Sequence, residues 1–205
     1  MRTKALLLTA AFAAAGVAAA SAQVYSVNAV GYVNVSVPKG FSMIANPLKA
    51  SANTVGALLA SAPDGTTVYK FSGGKFGVNT KDFGEFANGA ETMNPGEGAF
   101  IEASSAFTVT FVGEVPQGAL SQNIPAGFSI QASQVPQKGQ LDTVLKFPAA
   151  DGDTVYRYNN GSGRYSIHAY DFGAWDNPPS PEVGEAFFVN KAAAAQWKRD
   201  FSVNN

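Results

Sequence analysis

The sequence predicts an all-β protein built from two tandem, pseudo-symmetric units of sandwich or barrel type, each with one short helical turn. Three observations carry this. The segment Asp64-Gly-Thr-Thr-Val-Tyr-Lys-Phe71 returns as Asp151-Gly-Asp-Thr-Val-Tyr-Arg-Tyr158, identical at five of eight positions and 87 residues further on. The chain holds 21 Gly and 11 Pro, is only 14% charged, and breaks into short aromatic and β-branched runs between turn residues, which is strand chemistry. It has no cysteine, so stability has to come from packing, for which 15 Phe and 7 Tyr are the material.

The duplication extends beyond that strand. Pro38-Lys-Gly-Phe-Ser-Met-Ile-Ala45 matches Pro125-Ala-Gly-Phe-Ser-Ile-Gln-Ala132, and Asp82-Phe-Gly84 matches Asp171-Phe-Gly173. Gly96-Glu-Gly-Ala-Phe-Ile101 matches Gly184-Glu-Ala-Phe-Phe-Val189, and Phe107–Phe111 is paired with Trp197–Phe201. The offset drifts only across loop-like stretches such as Asn159-Asn-Gly-Ser-Gly163, where insertions are tolerated. The repeat is too long for a solenoid unit and has the size of a small domain. The units are placed at 23–117 and 118–205.

Residues 1–22 are read as a secretory signal peptide. Arg2 and Lys4 precede the apolar run Ala5–Ala20, and Ala20-Ser-Ala22 before Gln23 fits a small-residue cleavage site. The protein is therefore expected to be secreted, outside the cell or on a bacterial surface. With 14 basic against 15 acidic residues and no basic cluster, it is not a nucleic-acid binder. No other stretch suits a transmembrane helix.

In order, Val24–Val37 alternates, with Tyr25, Val27, Val33, Val35 and Val37 on one face; Gly31 suggests a bulge. Phe41–Ala45 is the next strand. Asn53–Leu59 and Leu141–Phe147 have helical spacing. The Asp-Gly strands then pair with Lys75–Thr80 and Arg164–Ala169 as hairpins. Gly98–Glu102 and Glu185–Asn190 are apolar runs expected at sheet centres. Phe107–Val115 and Gln196–Val203 close the units, giving about six strands each.

These motifs resemble a family of exported bacterial proteins of uncharacterised role, which carry the same duplicated β pattern directly after a signal peptide. The resemblance covers nearly the whole mature chain. It implies architecture and export, and supplies no catalytic residue.

Candidate chemistry is sparse. His168 is the single histidine; with Ser162 or Ser166 and Asp171 it lacks a nucleophile elbow, and it is expected on the solvent face of its hairpin. With no cysteine, no zinc set remains. The two Asp-Phe-Gly tripeptides lack the accompanying kinase motifs and are read as turns. Glu97 and Glu185, with Asp82 and Asp171, are weighed as glycosidase pairs against Glu as a local turn cap, which is favoured. Asp151-Gly-Asp153 has too few oxygen donors for calcium. Tyr165, Tyr170 and Trp175 are the aromatic residues expected to contact a glycan if they share an exposed face. Trp197, aligned with Phe107, is expected in the core.

The sequence thus argues against an enzyme and implies no cofactor. It suggests a non-catalytic structural protein that pairs with itself through strand edges, Tyr25, Val27, Val33, Val35 and Val37 forming the exchanging segment, weighed against pairing of Val24–Val37 within its own chain, which is favoured. In that scheme the stretch at Phe107–Val115 is shared between the units. The rival is a secreted polysaccharide-binding module.

Overall fold

A computed structural model describes residues 29–203. The expected signal peptide, Tyr25 and Val27 lie outside the described residues. The chain is all-β in two units, each with seven strands among the described residues. In the first, β1 (Val30–Val37) pairs antiparallel with β7 (Phe107–Glu114) as a two-stranded ribbon. Strands β2 (Gly40–Ala45), β6 (Gly98–Ala103), β3 (Thr67–Ser72), β4 (Lys75–Asp82) and β5 (Glu85–Phe86) form an antiparallel sheet in that order. The second unit repeats both parts. Strand β8 (Gly118–Ile124) pairs with β14 (Ala195–Phe201). The sheet runs β9 (Gly127–Ala132), β13 (Ala186–Lys191), β10 (Asp153–Asn159), β11 (Arg164–Asp171), β12 (Ala174–Trp175).

Alternation decides what each sheet buries. On β6, Ala99, Ile101 and Ala103 face the ribbon and join Val37, Val109 and Phe111 in the first core. Gly98 and Phe100 lie on the opposite face, which the second unit covers. A strand buried on both sides is apolar throughout, so Gly98–Glu102 is central as expected. Leu48, Val55, Leu59 and Met93, from loops and the short helix α1 (Val55–Leu58), plug the first core. The second is built on Phe147, Phe187, Trp197 and Trp175.

Val33, Val35 and Val37 pair with Phe111, Val109 and Phe107 of the same chain, the within-chain pairing favoured above, which fills one edge of β1. Several other expectations are corrected. No strand is shared between units: Gly118–Ile124, not recognised as a strand, supplies the second ribbon. Gly31 forms no bulge; the register runs unbroken with Gly31 opposite Gly113. Gly113 is the constrained one, since a Cβ there would lie 2.5 Å from the Lys49 carbonyl oxygen, where Lys49 exchanges two backbone bonds with Glu114. Leu141–Leu145 is a run of hydrogen-bonded turns and not a helix, with Lys146 at φ 59° ending it.

The two sheets meet face to face, and their contacts are reciprocal. The Ala45 N–H donates to the Gly184 carbonyl (2.9 Å), and the Ala132 N–H donates to the Gly96 carbonyl (3.0 Å). Phe71 meets Phe188 (5.5 Å), and Tyr158 meets Phe100 (5.1 Å). Such exchange of equivalent partners is what a two-fold axis produces, so the chain is a pseudo-dimer within one polypeptide. Tyr69 and Tyr156, from the repeat noticed first, have matching surroundings. Tyr69 stands 6.2 Å from Phe41 and 6.3 Å from Phe76; Tyr156 stands 5.8 Å from Phe128 and 6.3 Å from Tyr165.

Candidate binding surfaces

The repeated motifs turn out to be parts of the unit interface and of one turn. Gly96 and Gly184, both at positive φ, supply the carbonyls of the reciprocal bonds. The glutamate after each holds its own unit: Glu97 pairs with Lys70 (2.9 Å) and accepts the Asn94 N–H (3.1 Å), and Glu185 takes a bidentate pair from Arg157 (2.8 Å each) and the Glu182 N–H (2.9 Å). Burial pushes the Glu97 carboxyl up, but the Lys70 ammonium and the Asn94 donors outweigh it and hold the group below the usual carboxylate range. Both glutamates act as local caps and ion-pair partners. Beside each pair opens an equivalent polar cleft, about 430 Å³ at Lys70–Glu97 and about 390 Å³ at Arg157–Glu185, walled by Phe71 and Tyr158 respectively.

The Asp-Gly and Asp-Phe-Gly motifs interlock. Asp64 Oδ1 accepts the Gly84 N–H, and Asp151 Oδ1 accepts the Gly173 N–H, each at 2.9 Å. The turns so held are two-residue loops, closing Asp82 on Glu85 and Asp171 on Ala174. Their first residues, Phe83 and Phe172, have φ of 49° and 54°, the left-handed region that type I′ hairpins require and that Asn or Gly ordinarily fill. The rings are 94% and 100% exposed. Sequence reasoning found these turns but missed the display.

A third feature is an open groove of about 370 Å³ at the unit boundary, lined by Phe41, Tyr69, Phe76, Phe100 and Tyr158. Strand alternation puts Phe76 on the face of β4 opposite buried Asn79 and Lys81. The Tyr69 hydroxyl donates to Glu102 Oε2 (2.9 Å). Burial first, and then this carboxylate, push the Tyr69 phenol up. The signal that could have found the groove was the shared parity of aromatic residues on β2, β3, β4 and β6, repeated in the second unit.

The expected glycan contacts do not form one face. Tyr165 and Tyr170 lie five residues apart on β11 and so point to opposite sides. Tyr165 is exposed beside Phe188 and Tyr158. Trp175 is only 7% exposed, packed edge-to-face on Tyr170 at 5.0 Å in the second core. Its loop is pinned inward by β12 pairing with β11.

His168 also corrects the reading. It is 4% exposed, and its Nδ1–H donates to the Asn177 carbonyl (2.6 Å). In the first unit Asn79 does the same job, donating to the Asn88 carbonyl (2.8 Å). The histidine is a loop clip facing the core. Asp151 and Asp153 serve different partners, since Asp153 is buried against Lys191. Among the described residues no group of three or more His, Asp or Glu converges to hold a metal ion, and no helix is long and apolar enough to cross a membrane.

No family model, curated protein or solved structure matches the chain.

Proposed function

We propose that this is a non-catalytic, exported structural protein that associates with copies of itself through the turns carrying Phe83 and Phe172. One observation carries the reading: the same costly display occurs twice, a phenylalanine held in left-handed backbone with its ring in solvent. Left-handed geometry costs a non-Gly residue about 1–2 kcal/mol, and leaving the ring in water forfeits about 1.5–3 kcal/mol of burial. The neighbouring hairpin shows the cheap solution, with Gly73 and Gly74 at φ 58° and 77° closing β3 on β4.

The edges of the two five-stranded sheets offer less. Their outer strands β5 and β12 have two residues each, and their opposite edges, β2 and β9, each bridge to the other unit. Short or covered edges suppress pairing at the five-stranded sheets, and the fully exposed aromatic turns protrude at their β5 and β12 ends. One ring buries roughly 150–250 Å², well short of the roughly 1,200 Å² of a stable interface. Each contact is therefore weak, and a chain carrying two of them associates as its concentration rises.

Sedimentation of the purified protein across rising concentration tests this. The expected result is concentration-dependent, salt-insensitive association that disappears in both F83N/F172N and F83A/F172A. A wild-type protein that stays monomeric throughout, or variants that associate equally, would overturn it.

A further inference from the structure

The five-ring groove has a carboxylate on its rim, and the combination selects a ligand class. Its rings cross steeply: Phe41 and Phe100 at 80° and 5.9 Å, Tyr69 and Phe76 at 86° and 6.3 Å. Rings set edge to face turn their negative π-faces in several directions around an opening. None of the five lining residues is cationic. Glu102 lies directly opposite Phe41 in the strand register and accepts from Tyr69, and among the described residues no Lys or Arg pairs with it.

A sugar would find few polar partners on this lining, and a hydrocarbon would lie against a carboxylate. A quaternary ammonium group fits both features, with methyls against the rings and positive charge toward π-faces and Glu102. We infer that the groove of the first unit binds an organic cation of the quaternary ammonium class. The second unit supplies an internal contrast: Phe128, Tyr156 and Tyr165 repeat the ring geometry, but Asn190 stands at the position of Glu102. The carboxylate is thus particular to the first unit. This site is separate from the Phe83 and Phe172 turns.

The test compares choline with 3,3-dimethyl-1-butanol, its neutral isostere, by calorimetry and by ring resonances of the folded protein. Choline is expected to bind and to shift Tyr69 and Tyr158, with the isostere about three- to thirtyfold weaker. Glu102→Gln, which keeps size and fold, is expected to weaken choline several-fold at an unchanged melting temperature, leaving the isostere unaffected. Equal binding of the two probes, indifference to Glu102→Gln, or no choline-dependent shift of those resonances would each overturn the assignment.

Discussion

Phe83 and Phe172 sit where the backbone asks for Asn or Gly, and their stability effect separates strain from hydrophobicity. Asn tolerates left-handed φ because its short amide bonds the local backbone, whereas Ala removes the ring and keeps the strain. F83N and F172N are each expected to raise unfolding free energy by about 1 kcal/mol relative to the corresponding Ala variants, read from urea midpoints at constant slope. Equal stability of the Asn and Ala variants would show that the turn carries no strain. Both pairs lose the ring, so association and stability part company: the Asn variant is sturdier than the Ala variant, and neither assembles.

The segment Asn94–Glu97, which leads into β6, is an electrostatic element. Its Glu97 carboxyl lies below the ordinary value in the folded chain. The sign follows: the contribution is fully present above the unfolded pKa, near 4.5, and is lost as pH falls through the folded value. The side chain is 39% exposed, so about 1 kcal/mol is the ceiling. Glu97→Gln should therefore cost up to about that much at neutral pH and almost nothing at pH near 3; a gap that persists in acid would mean packing and not charge.

Elements were unevenly legible. The strands from Phe41 to Phe111 were readable because they carry β-branched and aromatic runs. Strand β8 was not, because its inward face is Leu120, Gln122 and Ile124, and a half-buried glutamine interrupts the alternation. Missing it displaced the alignment of the last strand. Trp197 occupies the place of Val109, not Phe107, and Arg199 takes that of Phe111. A two-residue slip preserves the face, so Trp197 is in the core as expected. Arg199 is buried with it, donating to the Leu145 carbonyl (2.9 Å) and Gln137 Oε1 (2.7 Å). The candidate surfaces were less legible still: turn chemistry named the Asp-Phe-Gly loops, but only tertiary packing sends Trp175 inward and leaves Phe83 and Phe172 out.

At the scale of the whole molecule, the two units pack tightly where a glycine in one meets the equivalent alanine in the other. A Cβ on Gly98 would lie 2.5 Å from the Ala186 Cβ and 2.6 Å from Ile130 Cγ2. Gly98 and Ala186 are equivalent in the repeat, so the pseudo-axis tolerates one methyl, not two. Around it Met43, Ala45, Phe100, Ile130 and Ala132 form a core that belongs to neither unit alone. Gly98→Ala is expected to destabilise by about 1–3 kcal/mol through overpacking. Ala186→Gly alone should cost less than that, and G98A/A186G, which moves the methyl to the other side of the axis, should recover more than half of the G98A loss. Contacting residues show such coupling in a double-mutant cycle, whereas independent sites simply add. Strict additivity in calorimetric melting would mean that the two sheets do not press together at Gly98, and the unit-to-unit core would no longer explain why a duplicated chain behaves as one body.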